Sequence, residues 1–158
     1  MYYKFSCLKG INALLIVFVS LQIISCTGSS KFTADELLIE MEKTSCYGQC
    51  PVYTIKIDGD GNGLFKGVEN TDYVGLFTFR ISDDELSRLI SSFEEAGFYD
   101  LEDRYYKNVT DLPTVYLTYR KEGKEKKIMD YYGAPQALKS LEKEIQSLVL
   151  SKKMKKVE

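Results

Sequence analysis

Residues 52–68 read VYTIKIDGDGNGLFKGV. Val52, Tyr53, Thr54, Ile55 and Ile57 are β-branched, aromatic and alternating with polar neighbours, the composition of a pleated, half-buried strand. Asp58 to Gly63 is a turn by composition, because Asp, Asn and Gly tolerate the backbone angles that a tight reversal requires. Leu64 to Val68 then returns as the partner strand, so the stretch predicts a β-hairpin.

Working outward, Leu37, Ile39 and Met41 alternate with Leu38, Glu40 and Glu42, which predicts a strand before the hairpin. After it, Tyr73, Gly75, Phe77, Phe79 and Ile81 share one face of a fourth strand. Ser82-Asp83-Asp84-Glu85 matches a capping box, with Ile81 and Leu86 placed to staple the helix start. Leu86, Leu89, Ile90 and Phe93 follow at helical spacing, and Gly97 is placed to end the helix. Tyr99 to Leu112 is irregular. Pro113 opens a further extended run through Val115, Leu117 and Tyr119, Glu122-Gly123 turns it, and Lys127 to Tyr132 returns. Pro135 suits the first position of a last helix, with Leu138, Leu141, Ile145, Leu148 and Val149 as its apolar stripe. Lys152, Lys153, Lys155 and Lys156 read as a frayed basic tail covering residues 151–158. The order is ββββαββα. Short turns between strands imply antiparallel pairing, so the expected fold class is α+β: an antiparallel sheet of about six strands with two helices packed on one face.

The first 25 residues read as a targeting segment rather than part of that domain. Lys4 and Lys9 supply a positive start, and Ile11 to Ile24 is an apolar run of about fourteen residues, short of the roughly twenty that cross a bilayer as a helix. The run ends in Ile23-Ile24-Ser25-Cys26, which resembles a lipobox: two aliphatic residues, a small one, then a cysteine. The resemblance implies a lipoprotein signal peptide over residues 1–25 and a diacylglyceryl group on the Cys26 thiol. Residues 26–34 are small and polar, a flexible tether to a domain at 35–150. Losing Lys4 and Lys9 moves the formal net charge from −2 to about −4, with both signs well mixed. No basic surface of the kind that nucleic acid requires is present. Export implies an oxidising setting, in which Cys7 leaves with the leader, Cys26 is acylated, and Cys46 and Cys50 remain as a pair.

Thr44-Ser45-Cys46-Tyr47-Gly48-Gln49-Cys50-Pro51-Val52-Tyr53 resembles the motif Thr-x-Cys-x-Gly-x-Cys-Pro-x-Tyr of a family of lipoproteins common in Bacteroidota, whose domain is of unknown function. Gly59-Asp60-Gly61 and Thr110-Asp111-Leu112-Pro113 are similar to two further stretches of that family. The resemblance spans about residues 36 to 150 and brings no activity with it.

Three stretches bear on chemistry. Cys46 and Cys50 fit a disulfide closing a tight loop, worth roughly 2 kcal/mol for about five residues; alternatively one thiolate exchanges disulfides, although exchangers place that sulfur at a helix start and a strand follows here. Metal binding by the pair would need further ligands. Asp58, Asp60, Asn62, Gly63 and Glu69 match a calcium-loop pattern, with calcium as the implied cofactor. The strand-like flanks and Lys66 at the ninth position favour a plain hairpin turn. The chain contains no histidine, which excludes every Ser-His, Cys-His and His-zinc mechanism. Ser140-Leu141-Glu142-Lys143 matches Ser-x-x-Lys without the companion motifs of acylating enzymes. A carboxylate hydrolase requires two acids lining a deep cleft.

Twelve tyrosines offer flat apolar bodies with polar tips. Adjacent Tyr105-Tyr106 and Tyr131-Tyr132 point to opposite faces, so Tyr105, Tyr106 and the nearby Asp111 form a candidate binding surface. The combined expectation is a non-enzymatic binding or envelope-support lipoprotein of the outer membrane facing the periplasm. Its expected partners are the membrane through its lipid, and an envelope protein or glycan; the alternative is a thiol–disulfide protein acting through Cys46 and Cys50.

Overall fold

A computed structural model describes Thr33 and residues 35–158. The elements are β1 Leu37–Lys43, β2 Val52–Asp58, β3 Asn62–Glu69, β4 Gly75–Arg80, α1 Asp83–Glu95, a 3-10 turn Phe98–Asp100, β5 Arg104–Tyr105, β6 Val115–Lys121, β7 Lys124–Asp130, α2 Gln136–Leu150 and β8 Lys155–Lys156. The strands form one sheet of eight in the order β5-β7-β6-β1-β2-β3-β4-β8.

This corrects the expected sheet of six antiparallel strands. The sheet is larger and mixed, because β5 pairs parallel with β7. β5 lies inside the stretch expected to be irregular. It has no alternation of its own and is recruited through backbone bonds, the Met129 N–H donating to Asp103 O at 2.9 Å and the Tyr131 N–H to Tyr105 O at 3.0 Å. The basic tail is likewise not frayed: Lys155–Lys156 pairs with β4, and the Val157 N–H donates to Leu76 O at 2.9 Å. A lysine-rich strand is a common way to finish a sheet edge, since its charges discourage further pairing. Pro135 is the residue before α2 rather than its first, with extended backbone at φ −66° and ψ 156°.

β1 lies centrally, between β2 and β6, and its Leu37, Ile39 and Met41 are buried. They share one core with Tyr53, Ile55 and Ile57 of β2, with Leu117 and Tyr119 of β6, and with the apolar stripes of both helices. Phe93 of α1 stacks on Tyr119 at 4.2 Å between ring centroids. The Ser92 hydroxyl of α1 donates to Glu144 of α2 at 3.1 Å, joining the helices. The alternate residues carry polar groups, such as Lys56 and Glu40, paired across β1 and β2 at 3.1 Å.

The start of α1 follows the capping-box pattern. The Glu85 N–H donates to the Ser82 hydroxyl oxygen, and the Ser82 N–H donates to the Glu85 carboxylate. Lys152, then the Ser82 backbone, hold the Glu85 carboxyl down at about 2. This contribution is complete above the ordinary carboxylate range and fades as pH falls toward that value. Ser82→Ala removes one half of the box and is expected to cost about 1 kcal/mol in denaturant unfolding. At the other end Gly97 adopts φ +58°, the left-handed turn that glycine accepts most readily.

The sheet has two distinguishable ends. At one lie Leu37, where the described chain enters β1, the β2–β3 turn and the β6–β7 turn, the Glu122 N–H donating to Glu36 O at 3.2 Å. At the other lie Lys43, Tyr53, Gly67, Val115 and Asp130, which are register neighbours or one strand apart. The seven residues of β1 separate the ends by about 20 Å.

Candidate functional site

Cys26, the expected lipidation site, lies outside the described residues, as does the predicted leader. Cys46 and Cys50 form a disulfide, with Cα atoms 5.7 Å apart, on the loop between β1 and β2 at the end far from Leu37. The reason is local. The Gly48 N–H donates to Cys46 Sγ at 3.2 Å across the turn, and Pro51 leads directly into β2. Neither sulfur stands at a helix N-terminus, so no helix dipole is available to stabilise a thiolate. The bond holds out Tyr47, which is 92 % exposed. Replacing both cysteines by serine is expected to lower stability by about 2 kcal/mol in denaturant unfolding while leaving the fold intact.

The calcium pattern is not assembled. Asp58 Oδ1 accepts the N–H groups of Asp60 at 3.0 Å and Asn62 at 2.9 Å, and Asn62 Oδ1 accepts from Arg80 at 2.8 Å. These bonds build the hairpin turn. Glu69 stands at the opposite end of β3, across from Val52, so Asp58, Asp60 and Asn62 do not share a centre with it.

The expected tyrosine surface is divided. Tyr106 is exposed, stacks on Tyr131 at 5.5 Å and carries the Arg104 guanidinium 4.8 Å above its ring. Tyr105 is not part of that surface. It packs against the core, its hydroxyl oxygen accepts the Glu102 N–H at 3.0 Å, and its carbonyl accepts from the strand beside it. Asp111 is exposed, on a left-handed turn at φ +74°. Tyr132, 43 % exposed, joins Tyr106 as the second outward ring.

A different cluster lies under α2. Asp130 at the end of β7 is 1 % exposed, and its carboxylate is paired with Lys139 of α2. Lys139 also reaches Glu142 at 3.3 Å, so one ammonium serves two carboxylates. Glu142 is 9 % exposed, and its Oε1 has no hydrogen-bond partner. Burial, offset in part by Lys139 and reinforced by Asp130, pushes Glu142 up to about 7. Burial opposes the charge of Lys139, but its bonds to Asp130 and Glu142 outweigh that and raise it. Tyr53 of β2 is 3 % exposed with an unpartnered hydroxyl, which burial and then the field of Glu142 push up to about 12. Glu142 and Tyr53 line a cavity of about 330 Å³ between α2 and the ends of β1, β2 and β6. Asp130 does not line it, so the two buried acids do not flank a common cleft as a carboxylate hydrolase requires. Ser140 and Lys143 are both exposed on α2.

Sequence reasoning missed this cluster although one signal was present. Glu142 falls on the same helical face as Leu138 and Ile145, a charge within the apolar stripe of α2.

The chain belongs to the DUF6438 family, a domain of unknown function whose model matches residues 37–149. The match begins with the first residue of β1 and ends with the last buried residue of α2, leaving β8 outside. No match to a curated protein was found.

Proposed function

We propose that this protein is a lipid-anchored envelope lipoprotein of the Bacteroidota type, in which a disulfide-stapled, non-enzymatic domain docks an envelope protein. Cys26 carries the acyl chains, and the outer membrane, periplasmic side, is the compartment. The observation that carries this reading is the polarity of the sheet. The chain enters β1 at one end, beside the β6–β7 turn. The Cys46–Cys50 loop with Tyr47, and the outward rings of Tyr106 and Tyr132, lie at the other. An anchor about ten residues before Leu37 holds the first end nearer the bilayer and leaves the tyrosines facing away. Exposed tyrosines on ordered supports contribute large contact area at low entropic cost, which suits a protein partner.

Photo-crosslinking in the native envelope tests this. A photoreactive residue replacing Tyr106 is expected to give a discrete protein adduct that Tyr47→Ala diminishes. The same probe at Glu122, by the chain entry, is expected to label lipid. Protein adducts of equal yield from both positions, or a glycan adduct at Tyr106, would overturn the assignment.

A further inference from the structure

We propose that the cavity beneath α2 is a binding site for a small organic carboxylate. This inference goes beyond the docking surface and does not depend on the lipid anchor. At about 330 Å³ the cavity is at the small end of ligand sites, enough for a short-chain acid. Tyr53 is among the lining residues, and its hydroxyl is a donor buried from solvent and left without a partner. A buried hydroxyl with nothing to bond costs free energy unless something fills the place. Lys43 of β1 and Lys143 of α2 also line the cavity, and neither has an ion-pair partner among the described residues. Lys139 is the third cation of the lining, already committed to Asp130 and Glu142. Two uncommitted ammonium groups and one hydroxyl suit a single carboxylate head, while Met41 and Val115 offer an aliphatic wall for its short tail.

The charged groups acting on Glu142 are Lys139 on its own helix and Asp130 of β7, its field reaches Tyr53 of β2, and Lys43 of β1 and Lys143 of α2 line the same cavity. Because burial holds Glu142 protonated up to about 7, its carboxyl is neutral below that pH and able to donate to the bound anion. Above it, a charged Glu142 repels the same anion, so affinity falls as pH rises.

The test is calorimetric titration of the full chain in detergent micelles with butyrate, butyramide and inorganic phosphate, at about pH 6 and about pH 8. Butyrate is expected to bind, roughly tenfold more weakly at the higher pH, and butyramide not to bind. Tyr53→Phe keeps the ring and removes the unpartnered hydroxyl, so the fold is retained; it and Lys143→Met are each expected to weaken butyrate binding by roughly three- to tenfold. The proposal is overturned if butyrate fails to bind, if butyramide binds as well, if phosphate binds more tightly, or if both variants bind butyrate like the parent chain.

Discussion

Gly67→Ala is expected to destabilise the domain by about 3 kcal/mol, the upper part of the range for forced overpacking. Gly67 lies in β3, paired with Tyr53 on one side and Gly75 on the other. A Cβ placed on it would sit 1.8 Å from the carbonyl oxygen of Tyr73 and 2.8 Å from a methyl of Thr71. The first obstacle is backbone, so no rotamer change relieves it; β3 and the segment leading into β4 must separate. Tyr73 would be displaced with them, breaking its edge contacts with Phe65 and Phe77 at 6.2 and 5.4 Å. Gly48 provides the control. A Cβ there meets only Cys46 Sγ, at 3.8 Å, and Gly48→Ala is expected to change stability by less than about 0.5 kcal/mol. Urea unfolding of the two variants separates a glycine required by close approach from one that is not.

Lys139→Met has the second large effect, and it depends on pH. Removing the ammonium leaves Asp130 and Glu142 facing each other in the interior with no cation between them. Breaking such a pair from one side costs about 3 kcal/mol, because the remaining charge stays buried and unpaired. Glu142, already raised by burial and by Asp130, loses the cation that lowers it and holds its proton more tightly still in the folded state. The folded state then binds more protons, and stability must fall as pH rises. The loss is therefore expected in full at about pH 8 and largely relieved at about pH 5. The parent chain shows a weaker form of the same slope. Glu142, raised to about 7 by burial, takes up its proton more readily in the folded state between the ordinary carboxylate range and that value. Glu142→Gln removes the titration and is expected to stabilise the protein by about 2 kcal/mol at pH 8 and to flatten the slope below it. If instead Lys139→Met is equally destabilised at both pH values, the two acids do not share a field.

Much of the fold was legible because its larger elements each bury one face, and a buried face leaves a period in the residues. The alternation in β1 and β2, the Ser82–Glu85 box and the stripe from Leu86 to Phe93 are such marks, and all correspond to elements of the structure. The two short strands left none. Arg104–Tyr105 and Lys155–Lys156 are held by backbone bonds to a sheet that already exists, and a backbone bond is blind to side-chain identity. The parallel pairing of β5 was invisible for the same reason. The cysteine pair was legible from its spacing. The surface at Tyr105 and Tyr106 was half legible: alternation shows that one ring turns outward but not which. The cluster under α2 depends on Tyr53 of β2 meeting Lys139 and Glu142 from a distant part of the chain.

The joint reading of anchor and orientation stands or falls at residue 26. Intact mass spectrometry of the protein taken from native membranes is expected to give a chain beginning at Cys26 and heavier by its diacylglyceryl and acyl groups. A mass that retains residues 1–25, or one that starts at an unmodified Cys26, would contradict it.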